Sequence, residues 1–170
     1  MIRKNQWAAL ALCLGLLPLT GCLYRPPKAN VPPPARVETI EGDKYKKYNV
    51  KKVTLTKKAM ERTGVEFGEV AKLKGPRKEE PQLAVPYGAL FYDYKGYEWV
   101  YINPEPRVYF RSKVKVDYID GEVDTSMESW DRARKIVVYL KEGPEVGTKI
   151  VTVGVSQIYG EEKGYGVHRH

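Results

Sequence analysis

The sequence predicts a mainly β protein: a small, antiparallel β-roll, barrel-like, with one short helix. Three observations lead there. Apolar residues make up 42% of 170 residues and 13 residues are Tyr, while Leu is scarce after the first quarter, a balance that suits pleated, half-buried surfaces. Residues 85–119 crowd apolar and aromatic side chains on both sides of one turn signal, Asp93-Tyr94-Lys95-Gly96. Two further β-rich runs, 135–140 and 148–155, flank a Gly-Pro-bearing turn near the far end. A chain of this length favours one domain.

The first 21 residues stand outside that fold. Arg3 and Lys4 form a positive segment, and Trp7 to Leu17 an apolar one of about 11 residues, too short to cross a hydrocarbon layer of about 30 Å as a helix. Leu19-Thr20-Gly21-Cys22 follows. This resembles a bacterial lipobox, in which small residues precede the Cys that receives the lipid. It implies a lipoprotein signal peptide at 1–21, lipidation of Cys22 and an extracytoplasmic, membrane-anchored location on the periplasmic face of the inner or outer membrane. The alternatives are a short membrane anchor, or an ordinary signal peptide with an incidental Cys. Cys13 leaves with the leader, so no free thiol remains for a disulfide, a metal or a nucleophile. Losing Arg3 and Lys4 lowers the formal charge of +8 by two, to +6. A basic chain first suggests nucleic acid; export argues against that partner.

Residues 22–42 read as a Pro-rich tether, with Arg25-Pro26-Pro27-Lys28 and Val31-Pro32-Pro33-Pro34. At about 3.1 Å per residue it reaches up to about 60 Å from the lipid. The domain itself is expected over 43–160, with a loose Gly-rich tail at 161–170. Residues 43–58 are dense in Lys, which suits either anionic headgroups or a solvated strand edge protected against aggregation.

Within that run, residues 53–55 read as a strand. Thr56 is a fair helix N-cap, Ala59, Met60 and Glu61 are helix formers, and Gly64 is a C-cap, so a helix is expected over Lys57–Thr63. Residues 65–70 form the next strand, and 72–80 a polar connection. The Gly96 turn joins a hairpin, since Gly takes positive φ at no steric cost. After it, Tyr97, Trp99 and Tyr101 alternate with Val100 and Ile102, a strand covered on both faces. Asn103-Pro104-Glu105-Pro106 breaks pairing, because two ladder donors are missing. Then Val108, Phe110, Val114, Val116 and Tyr118 alternate with Arg107, Arg111, Lys113, Lys115 and Asp117, with a slip near Ser112. The core expected from these patterns is Leu55, Val65, Val85, Leu90, Trp99, Tyr101, Val116, Val138, Ile150 and Val153. Residues 124–134 read as a surface loop or short helix in which Trp130 is either an anchor to the core, the favoured reading, or an exposed contact.

In this order, the segments resemble the membrane-proximal domain of periplasmic adaptor subunits, the membrane-fusion proteins of resistance–nodulation–division (RND) efflux pumps. The likeness rests on Leu83-Ala84-Val85-Pro86-Tyr87-Gly88-Ala89-Leu90, on the Gly96 turn followed by Trp99-Val100-Tyr101-Ile102, on Val114-Lys115-Val116, and on the run from Glu142 to Gly154. Upstream, Val53-Thr54-Leu55-Thr56 through Gly64-Val65 matches the same domain's first portion. It covers roughly 50–71 and 82–160. A full adaptor places a barrel, a lipoyl-like domain and a helical hairpin between the two portions; here only 72–81 lies there. The resemblance implies an adaptor-like accessory protein whose partner is an inner-membrane efflux pump or a full-length adaptor. The alternative is a separate envelope lipoprotein that binds another protein, a peptide or a glycan.

No nucleophile–base pair, phosphate cradle or metal spacing appears, so the expectation is a binding protein with no enzyme activity, no metal and no cofactor beyond the lipid on Cys22. His168 and His170 read as a solvated tail. Asp117, Asp120 and Asp124 read as ordinary charges, with Asp120-Gly121 a turn. The expected partner surface is aromatic and basic: Tyr92, Tyr94 and Tyr97 at the hairpin, with Arg107, Tyr109 and Arg111 beside the proline break.

Overall fold

The computed structural model describes residues 33–121 and 136–165. The described chain is mainly β, as predicted, with strands β1 (Ala35–Thr39), β2 (Lys51–Leu55), β3 (Glu66–Glu69), β4 (Ala71–Leu73), β5 (Gln82–Pro86), β6 (Phe91–Tyr92), β7 (Glu98–Glu105), β8 (Val108–Lys113), β9 (Lys115–Asp120), β10 (Val137–Glu142) and β11 (Lys149–Val153). The helices are α1 (Asp43–Lys47), α2 (Lys57–Thr63) and α3 (Val155–Lys163). A larger sheet runs β1-β2-β8-β7-β11-β3, with β6 also on β7; a smaller one runs β4-β5-β10-β9. All their pairings are antiparallel. Neither sheet closes into a barrel among the described residues.

Strand β7 explains the layering. Side chains alternate across a strand, and here both sides are buried. Val100 joins Val85, Val138, Leu140 and Ile150 in the core between the sheets. Tyr101 joins Leu55, Ala59, Tyr109, Val151 and Ile158 in a second core, between the larger sheet and helices α2 and α3. The chain changes sheets at Val70 and Val114, both buried and both tied by backbone hydrogen bonds, to Thr148 and Glu98 respectively.

Local chemistry sets α2 where expected. The Thr56 hydroxyl accepts from the Ala59 amide at 3.1 Å, and Gly64 closes the helix at φ 58°, ψ 39°. The prolines after Asn103 do not simply end pairing. β7 and β8 form a hairpin whose register slips between Ile102 and Glu105, and Asn103 Nδ2 bridges the loop by donating to the Glu105 and Val108 carbonyls. The slip expected near Ser112 is the change of sheet at Val114.

Four expectations are corrected. Strand β1 lies within the stretch read as tether and pairs with β2 from Ala35↔Leu55 to Thr39↔Lys51. Helix α1 follows in the lysine run. Residues 71–73 form β4 rather than a bare polar connection. The segment read as trailing and then loose holds α3, which buries Ile158 and Glu162 one turn apart. Of the expected core, Leu55, Val85, Trp99, Tyr101, Val138 and Ile150 are buried and Val65, Leu90 and Val116 are half-buried, but Val153 is exposed. It follows a register shift between β11 and β3, and a one-residue slip turns a side chain to the other face.

Candidate functional site

The β6–β7 hairpin turn is held by a set of hydrogen bonds centred on Asp93. Gly96, at φ 78°, donates its amide to the Asp93 carbonyl. Asp93 Oδ1 accepts from the amides of Lys95 and Tyr97, and Oδ2 accepts from the Trp99 indole. One carboxylate thus holds the turn from both sides. Burial opposes ionisation of Asp93, yet these donors and the nearby Arg111 outweigh it and hold its pKa below the ordinary value. The turn presents Tyr92, Tyr94 and Tyr97, which are 53%, 80% and 37% exposed.

The six residues expected to form one partner surface do not come together. Arg107 is exposed but sits at the opposite end of β7, in the β7–β8 turn, at φ 67°. Tyr109 and Arg111 are buried in the core beneath the helices, and this corrects their assignment to the surface. The phase of β8 is the reverse of the expected one: Tyr109 and Arg111 point inward while Phe110 is half-buried. A lone Arg would not be buried this way, because desolvating a charge requires a partner.

The partner comes from α3. Arg111 Nε donates to both carboxylate oxygens of Glu162, at 2.8 and 3.1 Å, and Nη2 donates to the carbonyls of Tyr48 and Asn49. Its Nη1 lies 3.6 Å from Asp93 Oδ2, and its guanidinium stacks over Trp99 at 4.5 Å. Tyr101 donates its hydroxyl to Glu162. Burial, and then the Glu162 charge, push the Tyr101 phenol well above its ordinary range, so it remains a donor. The network ties β7, β8, the hairpin turn and α3 together.

Beside the hairpin lies a basic groove of about 710 Å³, whose walls include Lys44 and Lys47 of α1, Tyr48, Tyr97, Lys113 and Lys115. A smaller hollow of about 150 Å³ shares Lys47, Tyr48 and Tyr97 and adds Tyr94 and Lys95. Lys113 Nζ stands over the Tyr48 and Tyr97 rings at 4.6 and 4.4 Å and donates to the Tyr48 hydroxyl at 3.1 Å. That bond is the main cause of a lowered Tyr48 pKa and a raised Lys113 pKa. Lys44 and Lys47 belong to the lysine-dense run 43–58 noted in the sequence; what sequence reading missed is that folding brings Lys113 and Lys115 beside them.

Cys22, Asp124, Trp130, His168 and His170 lie outside the described residues. Asp117 accepts from Lys78 and Gln82 and pairs with Lys141. Asp120 pairs with Val137 at the end of β9. Among the described residues no group of three or more His, Cys, Asp or Glu is placed to hold a metal, and no helix is long and apolar enough to cross a membrane. Comparison with family models, with curated proteins and with solved structures finds no match.

Proposed function

We propose that the chain is a lipid-anchored extracytoplasmic docking module, an adaptor-like accessory protein that binds the periplasmic side of an RND-type efflux transporter. The lipobox-like Leu19-Thr20-Gly21-Cys22 supports the anchor, and the adaptor-like order of segments supports the class of partner. One observation carries the docking role. Asp93 locks the backbone of a turn that holds Tyr92 and Tyr94 in solvent, and a pre-set turn loses little backbone entropy on contact. Docking acts through this tip, without chemistry on a substrate. Arg107, at the far end of β7, is a separate exposed contact rather than part of the tip.

The test is purification of the lipidated protein from detergent-solubilised membranes, beside a Tyr92→Ala/Tyr94→Ala variant. Both rings are largely exposed, so folding is retained. The native chain is expected to bring down a large polytopic transporter, and the variant to lose that yield about tenfold or more, as for a pair of hot-spot residues. Recovery of a cell-wall enzyme or a glycan in its place overturns the transporter as partner. Full yield from the variant overturns the tip as the contact.

A further inference from the structure

The geometry points to a second contact surface: the lysine groove beside the hairpin rests on an anionic phospholipid bilayer, with its ammonium groups among the headgroup phosphates. The inference rests on the lipid-anchor reading for its reach to the membrane, but on different residues from the docking tip. Folding creates this surface. Lys44 and Lys47 come from α1, Lys113 and Lys115 from the corner where the chain changes sheets, and Lys95 from the hairpin turn. Two acidic side chains line the larger groove. Glu98 accepts from the Val116 amide at 2.8 Å, and Glu142 stands 3.7 Å from Lys115. Lys44, Lys47 and Lys95 are exposed, while Lys113 is half-buried and donates to the Tyr48 hydroxyl.

The choice of residues favours a bilayer over an acidic protein. The exposed cations are all Lys; Arg111, which floors the smaller hollow, is buried and occupied by Glu162. Arginine's planar fork recognises a fixed carboxylate or phosphate in two-pronged fashion, whereas Lys acts as a point charge on a flexible stem. A fluid layer of phosphates offers no fixed fork to match. Tyr97 lines both hollows beside the lysines and is 37% exposed, and a Tyr ring with a wet hydroxyl settles at headgroup level. Polybasic segments bind anionic leaflets through such charges, and a lipid anchor supplies the high local concentration that makes weak contacts count.

The experiment uses the full lipidated chain in vesicles of phosphatidylcholine alone and of phosphatidylcholine with phosphatidylglycerol. Lysine acylation is mapped by mass spectrometry. In the anionic vesicles Lys44, Lys47, Lys113 and Lys115 are expected to react about five-fold or more slowly, a contrast that vanishes near 1 M salt, where the screening length is about 3 Å. Lys72 and Lys74, exposed on and after β4, are expected to react equally in both. Equal groove rates in the two vesicles, or equal slowing at Lys72 and Lys74, overturn the proposal. So does equal protection in neutral vesicles by soluble polyglutamate or inorganic phosphate, which would assign the groove to a soluble anion. A Lys44→Gln/Lys47→Gln variant, neutral at two exposed positions, is expected to free Lys113 and Lys115; unchanged protection there overturns the groove as the contact. A chain that fails to float with neutral vesicles refutes the anchor, and its salt-sensitive flotation with anionic vesicles alone then supports the groove, its absence overturning it.

Discussion

Arg111 Nε lies 2.8 Å from Glu162 Oε1, and the two side chains, 51 residues apart in sequence, are 1% and 0% exposed. Removing Glu162 leaves the guanidinium buried with only Asp93, 3.6 Å from Nη1, to offset its charge. Glu162→Gln is therefore expected to cost about 3–5 kcal/mol, read from the urea midpoint. The paired change Arg111→Met/Glu162→Leu should recover part of that loss, since apolar side chains replace a buried ion pair at little cost. Recovery stays incomplete because the Tyr48 and Asn49 carbonyls lose their donor. A Glu162→Gln loss under about 1 kcal/mol would show that the pair is hydrated.

Asp93 makes the fold sensitive to acid. Its folded pKa is held below the ordinary value, although burial alone would raise it. A carboxylate depressed in this way stabilises the fold above its unfolded pKa and loses that contribution as pH falls through the folded value. Stability is expected to decline below about pH 4, the unfolded carboxylate range. Asp117 adds to the decline with the same sign, its pKa held well down by hydrogen bonds from Lys78 and then Gln82. Asp93→Asn should make the acid limb of a stability–pH profile shallower. An unchanged slope would remove Asp93 from the cause.

Trp99 is 1% exposed, lies edge-on to Tyr48 and donates to Asp93. Trp99→Ala is expected to cost about 3–5 kcal/mol, through the cavity it leaves. Trp99→Phe keeps a ring but removes the indole donor, at about 1 kcal/mol. Equal melting temperatures for all three proteins would place the indole outside the core.

Membrane attachment is expected to depend on Cys22. Cys22→Ser should move the protein from the membrane to the soluble fraction after a high-salt wash, which also strips lysine-mediated contact. Tight retention of that variant after the wash would refute the lipobox reading.

Where neighbours in sequence determine structure, the chain was legible. Thr56 and Gly64 bound α2 because each acts within one turn on the backbone it caps. Gly96 marks the hairpin because the turn needs positive φ there. The unbroken apolar run through Val100 and Tyr101 announces a strand buried on both faces, and β7 is that strand. β1 and α1 were less legible, since proline-rich and lysine-rich composition concealed them.

The sequence by itself determined the β-rich class, the α2 boundaries and the central hairpin, all products of local propensity and period-two patterning. Only the tertiary structure decided which way β8 faces. Alternation alone places Phe110 inside and Arg111 outside, and burying a guanidinium is unfavourable until Glu162 arrives to neutralise it. That carboxylate sits on α3, in a stretch carrying Gly160 and showing one buried apolar residue, Ile158, beside one buried acid. The same contact decided which of the residues expected at a partner surface are exposed. By drawing Arg111 and Tyr109 into the core, it left Tyr92, Tyr94 and Tyr97 exposed at one end of β7 and Arg107 at the other. The balance of desolvation against pairing is struck between residues distant in sequence, and no local pattern encodes it.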